Sequence, residues 1–166
     1  MHCVTNRRKE NGYKIYENKD FIPYGFTYDH YISYEECDTY GKEYRANMML
    51  KGILLNSEQI EKYSDILTDL SADYNVGGNN LNGVDIESEG YAKDCETLRK
   101  NSCRSFSRTK NGFTADINSK KENLLFFSVP FDSGWSATVN GQPVTIEKVN
   151  VGFMAVKIPS GDSTVE

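Results

Sequence analysis

Histidine is nearly absent: the 166 residues include only His2 and His30. They are too far apart for any familiar metal-ligand spacing and leave little material for imidazole catalysis, so no metal and no cofactor are expected. Long hydrophobic runs are missing as well. The densest, Leu124-Leu125-Phe126-Phe127, is four residues long, against the roughly 18 that a membrane helix needs. Positive charge is also scarce, with 19 Lys and Arg against 24 Asp and Glu and a net charge of −5. The one basic cluster, Arg7-Arg8-Lys9, is followed at once by Glu10. This balance argues against nucleic acid as a partner and against polybasic capture on a membrane surface. The beginning of the chain is not expected to be a secretory signal, because residues 6–11 are polar where an apolar stretch should stand.

Rings are what the chain has in quantity: 11 Tyr, 8 Phe and one Trp, 12% of the residues. Aromatic and β-branched residues fit a pleated surface best, so much sheet is expected. A chain of this length can bury about 70% of its unfolded surface. The expectation is one domain over residues 1–166, a mixed strand and helix part over 1–102 followed by an antiparallel β part over 103–166. The fold class is α+β, a helical N-terminal half packed on an antiparallel β-meander or sandwich formed mainly by the C-terminal half.

Local signals divide the chain further. Tyr13 to Glu17 reads as a short strand, and Phe21 to Tyr28, broken by Pro23 and Gly25, as extended chain outside a regular central strand. Ser33-Tyr34-Glu35-Glu36 is a capping box that should open a helix, interrupted at Gly41. A second helical stretch carries Tyr44, Met48, Met49 and Leu55, and Asn56-Ser57-Glu58-Gln59 caps a third, with Ile60, Tyr63, Leu67 and Leu70 on one face. Residues 75–83, including Gly77-Gly78-Asn79-Asn80, form a loop, and a helix follows from Ser88 to Lys100. Past Cys103 the period becomes two. A strand from Arg104 to Arg108 turns at Asn111-Gly112 into Phe113, Ala115 and Ile117. Leu124 to Val129 is apolar on both faces, as in a strand covered on both sides. Trp135, Ala137 and Val139 form the apolar face of the next strand, and Asn140-Gly141 turns it back. Asn150-Val151-Gly152 and Ser160-Gly161 are the remaining turns, and the final residues alternate like a strand that has just begun, as expected of a segment cut from a longer protein.

Cys3, Cys37, Cys95 and Cys103 show no Cys-x-x-Cys spacing. Two readings stand: partly buried free thiols, or a disulfide, for which Cys95 with Cys103 is the local candidate. That ring would stabilise by about 2.5 kcal/mol through loop entropy. It needs a chain reversal, because eight residues of continuous helix hold the Cα atoms about 12 Å apart.

Two separated stretches carry a family resemblance. Val129-Pro130-Phe131-Asp132-Ser133-Gly134-Trp135-Ser136-Ala137-Thr138-Val139-Asn140-Gly141-Gln142-Pro143-Val144, with Val149 to Val156 and Ile158-Pro159-Ser160-Gly161 after it, resembles the C-terminal extracytoplasmic region of the YfhO family. Ile15-Tyr16-Glu17-Asn18-Lys19, then Pro23-Tyr24-Gly25-Phe26, resembles the Tyr-Glu-Asn…Leu-Pro segment upstream of the same region, with Ile22 in place of Leu. The resemblance covers about Gly12 to Glu166. It implies a soluble domain of a large bacterial membrane protein, on the extracytoplasmic side of the cell membrane. The family is similar to GT-C glycosyltransferases, which move sugar from lipid-linked donors, and some members are linked to glycosylation of lipoteichoic acid. The catalytic acid of that superfamily belongs to a membrane-spanning part, so no catalytic residue is carried over and this fragment is expected not to be an enzyme. The partners implied are the transmembrane portion of the same polypeptide and a cell-envelope glycan or polymer.

Each candidate contact has a functional and a packing reading. Trp135 is a core residue of its strand face, or a platform on which a sugar stacks. Tyr24, Phe26, Tyr28, Tyr31 and Tyr34 present flat apolar area with polar rims to a glycan, or pack helices onto the sheet. Glu35 and Glu36, and Asp65 and Asp69, fall at helix starts or polar faces, where solvation accounts for them. The function expected is a non-catalytic accessory domain acting with cell-envelope polymers. The alternatives are a stand-alone carbohydrate-binding or hydrolytic domain and a purely structural interaction module.

Overall fold

The computed structural model describes residues 4–39, 42–73 and 88–166. Asn11 and Gly12 take φ of 49° and 82°, both positive as the tightest hairpin turn requires. They join β1 (Val4–Glu10) to β2 (Tyr13–Asn18) in an antiparallel ribbon with a bulge between Asn6 and Arg8. After Pro23 comes β3 (Gly25–Thr27), then β4 (His30–Ser33), α1 (Tyr34–Asp38), α2 (Lys42–Lys51), β5 (Gly52–Leu55), α3 (Ser57–Tyr63), β6 (Thr68–Asp69) and α4 (Leu70–Asp73). Ser33 caps α1, its Oγ accepting from the Glu36 amide at 3.0 Å. Asn56 and Gln59 form a full capping box on α3.

The N-terminal half is therefore not the helical layer expected. β4, β5 and β6 pair in parallel, in the order β5-β4-β6, with helices in the connections. Gly52 to Leu55 is strand rather than the tail of a helix, and Leu67 and Leu70 lie beyond the end of α3. A short apolar run buried on both faces has no period by which to separate strand from helix. Ile32 and Leu54 face Cys37, Met48 and Leu70 on one side of this sheet. Tyr31, Ile53 and Leu55 face the rest of the protein on the other. Gly41 and the loop expected over 75–83 lie outside the described residues.

α5 (Ser88–Lys100) has the bounds expected. The strands after it are β7 (Ser105–Arg108), β8 (Phe113–Ser119), β9 (Asn123–Pro130), β10 (Ala137–Val139), β11 (Gln142–Val144), β12 (Ile146–Val149), β13 (Phe153–Ile158) and β14 (Gly161–Val165). They form two antiparallel sheets, β11-β10-β14-β8-β7 and β12-β13-β9-β3, so the C-terminal half is a sandwich and not a simple meander. β3, from the N-terminal half, is the edge strand of the second sheet. Leu125 and Phe127 of β9 enter the sandwich core with Ile117, Val139, Val156 and Ile158. Leu124 and Phe126, alternating with them, pack on Tyr31, Ile53, Leu55 and Leu98. The strand is covered on both faces, as its apolar run requires.

Polar ties cross these layers. Asn150, buried at φ 46°, accepts from the Leu54 amide at 2.6 Å through Oδ1 and donates to the Leu54 carbonyl at 3.2 Å through its own amide. Its Nδ2 also meets the Tyr28 hydroxyl at 3.3 Å, and that hydroxyl donates to the Met49 carbonyl at 2.8 Å. The turn after β12 thereby completes the edge of the parallel sheet. Glu147 accepts from Lys62 Nζ and the Tyr63 hydroxyl, both at 2.6 Å, and from Gln59 Nε2 at 3.1 Å. Lys51 and Asp94, both largely buried, pair at 2.8 Å between α2 and α5.

Candidate functional site

The two sandwich sheets part at one end around a cavity of about 290 Å³. Met154, Val156 and Phe127 form one wall, Ala137 and Val165 the other, and Thr109, Asn111 and Ser136 add polar groups. Trp135 stands at this cavity. It precedes β10 in an irregular segment instead of lying on the strand face with Ala137 and Val139, and it is half-buried. The turn before it is held by Asp132, whose carboxylate accepts from the Gly134 amide at 2.8 Å and whose carbonyl accepts from the Trp135 amide at 3.2 Å. Gly112, at the β7–β8 turn, lies under the indole.

Rings continue from the indole across the sandwich edge. Trp135 and Phe113 have centroids 5.8 Å apart, Phe113 stacks on Phe106 at 4.8 Å, and Phe106 meets Tyr24 at 5.2 Å. Phe127 anchors the row from below, 4.9 Å from Phe113. The result is a ridge of four rings, with Tyr24 55% exposed at one end and Trp135 at the other. Such rings offer flat apolar area, and Tyr and Trp add a polar edge. Phe106 and Phe113 were not singled out from sequence. The strand register places Phe106 opposite Ala115 and Phe113 opposite Arg108, and the period-two pattern of Phe113, Ala115 and Ile117 is the signal that could have found them.

The other ring candidates are elsewhere. Phe26, Tyr28 and Tyr31 are only 6%, 3% and 9% exposed, and they hold the sheet of β3 and β9 against the parallel sheet. Phe26 packs on Phe126 at 5.0 Å. Burial drives the Tyr28 hydroxyl far above the usual phenol range, against the smaller opposing effect of its bond to Asn150. Tyr31 donates to Asp69 at 3.3 Å. Their burial fits the packing reading of these three. Tyr34 is half-buried, and its hydroxyl accepts from the Val151 amide at 2.8 Å.

The thiols Cys37, Cys95 and Cys103 are free, so the Cys95–Cys103 disulfide is not formed. Helix α5 runs on from Cys95 to Lys100, and Cys103 sits in the extended segment beyond it, paired to the Gly25 carbonyl at 2.9 Å. Burial raises the Cys103 thiol to about 11, and burial also raises Cys37 and Cys95. Cys3 lies outside the described residues. Among the described residues no group of three His, Cys, Asp or Glu converges as a metal site would.

The sequence profile of one family, described as bacterial membrane protein YfhO, matches residues 65–166. The chain belongs to the YfhO family. The match takes in α5 and every sandwich strand except β3, including Phe106, Phe113 and Trp135. A curated relative, the uncharacterized protein YfhO of Bacillus subtilis (strain 168), is 30% identical over 57 residues, which cover 34% of this chain and 7% of that protein. The matched segment is thus a small part of a much longer YfhO protein. No solved structure matches. Among the described residues no helix is long and apolar enough to cross a membrane.

Proposed function

We propose that this chain is a non-catalytic extracytoplasmic domain of a YfhO membrane protein, and that it holds a cell-envelope glycan on the ridge Tyr24-Phe106-Phe113-Trp135. The observation that carries the reading is the ridge itself: four rings in continuous contact, ending at a partly exposed Trp beside a cavity. A sugar presents C–H groups on one face and hydroxyls at its rim, so flat rings with uncharged polar neighbours such as Thr109, Asn111 and Ser136 match it. In the parent protein the domain would offer a polymer such as lipoteichoic acid to a GT-C-like site in the membrane-spanning portion of the same polypeptide. The net charge of −5 favours contact through the sugar units rather than through an anionic backbone.

Titration calorimetry of the 166-residue chain with cell-envelope oligosaccharides tests this. Binding in the micromolar to millimolar range is expected, with Trp135→Ala and Tyr24→Ala each weakening it about tenfold, near 1.4 kcal/mol. No heat at millimolar ligand would leave only a structural module, and turnover of a glycan by the chain would overthrow the non-catalytic reading.

A further inference from the structure

Strand β2 of the β1–β2 ribbon has no packed face. The ribbon pairs with no other strand among the described residues, and along β2 only Glu17 is better than exposed. Tyr13 is 75% exposed, Tyr16 54% and, just beyond the ribbon, Phe21 57%. Ile15 is exposed as well. An isolated two-stranded ribbon is marginal in water. Alternation puts Tyr13 and Ile15 on one face and Tyr16 on the other, so neither face is a polar one turned to solvent.

Its charge is opposite to that of the whole. Residues 4–18 carry Arg7, Arg8, Lys9 and Lys14 against Glu10 and Glu17, a formal +2 within a chain of net −5. The register sets Lys9 directly opposite Lys14 and Arg8 opposite Ile15. Like charges opposite one another weaken a strand pair, and an anionic partner would relieve them. A second copy of the ribbon would set +2 against +2 and is disfavoured.

We infer, against the expectation drawn from the charge of the whole chain, that this ribbon docks on an anionic lipid membrane, the exposed rings of Tyr13 and Tyr16 entering the headgroup layer and its basic residues meeting the lipid phosphates. Tyr beside Lys and Arg is the composition that settles at membrane interfaces. The family is one of membrane proteins, so a bilayer is within reach. The inference does not use the glycan ridge and stands or falls apart from it.

The test is flotation of the 166-residue chain with vesicles of phosphatidylcholine alone or with a third phosphatidylglycerol, at low and high salt. Wild type should float with the anionic vesicles only and be released at 0.5 M salt. Lys14→Glu should lower binding about fivefold or more, on the scale of one basic residue near an anionic surface. Tyr13→Ser/Tyr16→Ser should lower it without changing the melting temperature, since those rings lie outside the cores. Equal binding to both vesicles, no flotation at millimolar lipid, or undiminished binding by both variants overturns the inference. So does a salt-sensitive dimer in the absence of lipid that Lys14→Glu abolishes, which would assign the ribbon to a second copy.

Discussion

Replacing Asn150 separates two contributions that one residue makes. Its side-chain oxygen satisfies the Leu54 amide at 2.6 Å, in a strand where Leu54 is buried, and its backbone sits at φ 46°. Asn150→Gly keeps the backbone conformation and removes the acceptor. A buried donor left without a partner costs about 1–3 kcal/mol, so a loss near 2 kcal/mol is expected. Asn150→Ala removes the same acceptor and adds a left-handed conformation that costs a non-glycine residue about 1–2 kcal/mol. The order of the two variants is the decisive point. In a helix or strand interior Ala is more stabilising than Gly by about 0.5–1 kcal/mol, whereas here Ala should be the worse substitution by about 1 kcal/mol. At roughly 2–4 °C per kcal/mol for a chain of this size, thermal unfolding should fall by about 4–8 °C for Gly and about 6–12 °C for Ala. Urea unfolding followed by circular dichroism measures the same difference at constant temperature. An Ala variant more stable than the Gly variant, or both within about 0.5 kcal/mol of wild type, would refute the account of how the β12–β13 turn secures the parallel sheet.

Three further outcomes follow from local geometry. Burial alone would raise Glu147, but the hydrogen bonds from Lys62, Tyr63 and Gln59 outweigh it and hold its carboxyl below the usual range. Its contribution is therefore present above the unfolded carboxyl value near 4.3 and lost as pH falls through the lower folded value. Glu147→Gln should cost about 1–3 kcal/mol at pH 7 and much less near pH 3, so a pH-independent cost in paired urea titrations would contradict this. Val151, β-branched and exposed at φ 71°, carries left-handed strain, and Val151→Gly should stabilise by about 0.5–1 kcal/mol after the entropy of Gly is counted; a lowered melting temperature would show the strain to be absent. A Cβ on Gly25 would lie 2.7 Å from Cys103 Sγ and 2.9 Å from Phe127 Cε1. Gly25→Ala should cost about 1–3 kcal/mol, with part recovered in the double variant Gly25→Ala/Cys103→Ala, and a full-cost double variant would place the clash elsewhere.

The parts of the fold legible from sequence are those decided within a few residues. Asn140-Gly141 takes positive φ at both positions, because few other pairs tolerate that geometry. Leu124 to Phe127 could be read as covered on both faces because both sets of alternate residues are apolar. The bounds of α5 follow from its polar flanks and its buried Cys95 and Leu98. What escaped was decided at a distance. Gly52 to Leu55 is a strand because it pairs with His30 to Ser33, a partner that its own four residues do not announce. Ile60, Tyr63, Leu67 and Leu70 keep helical spacing and are all at least partly buried, yet the chain turns between Tyr63 and Thr68. The ridge is the extreme case. Tyr24, Phe106, Phe113 and Trp135 come from four segments, and only Tyr24 and Trp135 had been marked. Of the six rings marked for glycan, Phe26, Tyr28 and Tyr31 lie in the interior. A Pro/Gly-broken stretch shows that some rings escape the sheet without showing which, and that choice fell to β3 pairing with β9.

The ribbon and the ridge are joined by a short and fixed piece of chain. Between the end of β2 at Asn18 and Tyr24 there are six steps, which reach about 20 Å at full extension. Arg99 of α5 shortens that reach: its guanidinium donates to the carbonyls of Lys19 and Phe21, the latter at 3.0 Å. Phe21 belongs to the exposed apolar group of the ribbon, and Tyr24 is the first ring of the ridge. A lipid-docked ribbon would thus hold the ridge within about 20 Å of the docked end of β2. That is where a polymer anchored in the membrane by its lipid end presents its first sugars. Only taken together do the two readings demand that the joint over residues 19–24 be stiff, and Arg99 meets that demand from a helix tied through Asp94 to Lys51 of α2.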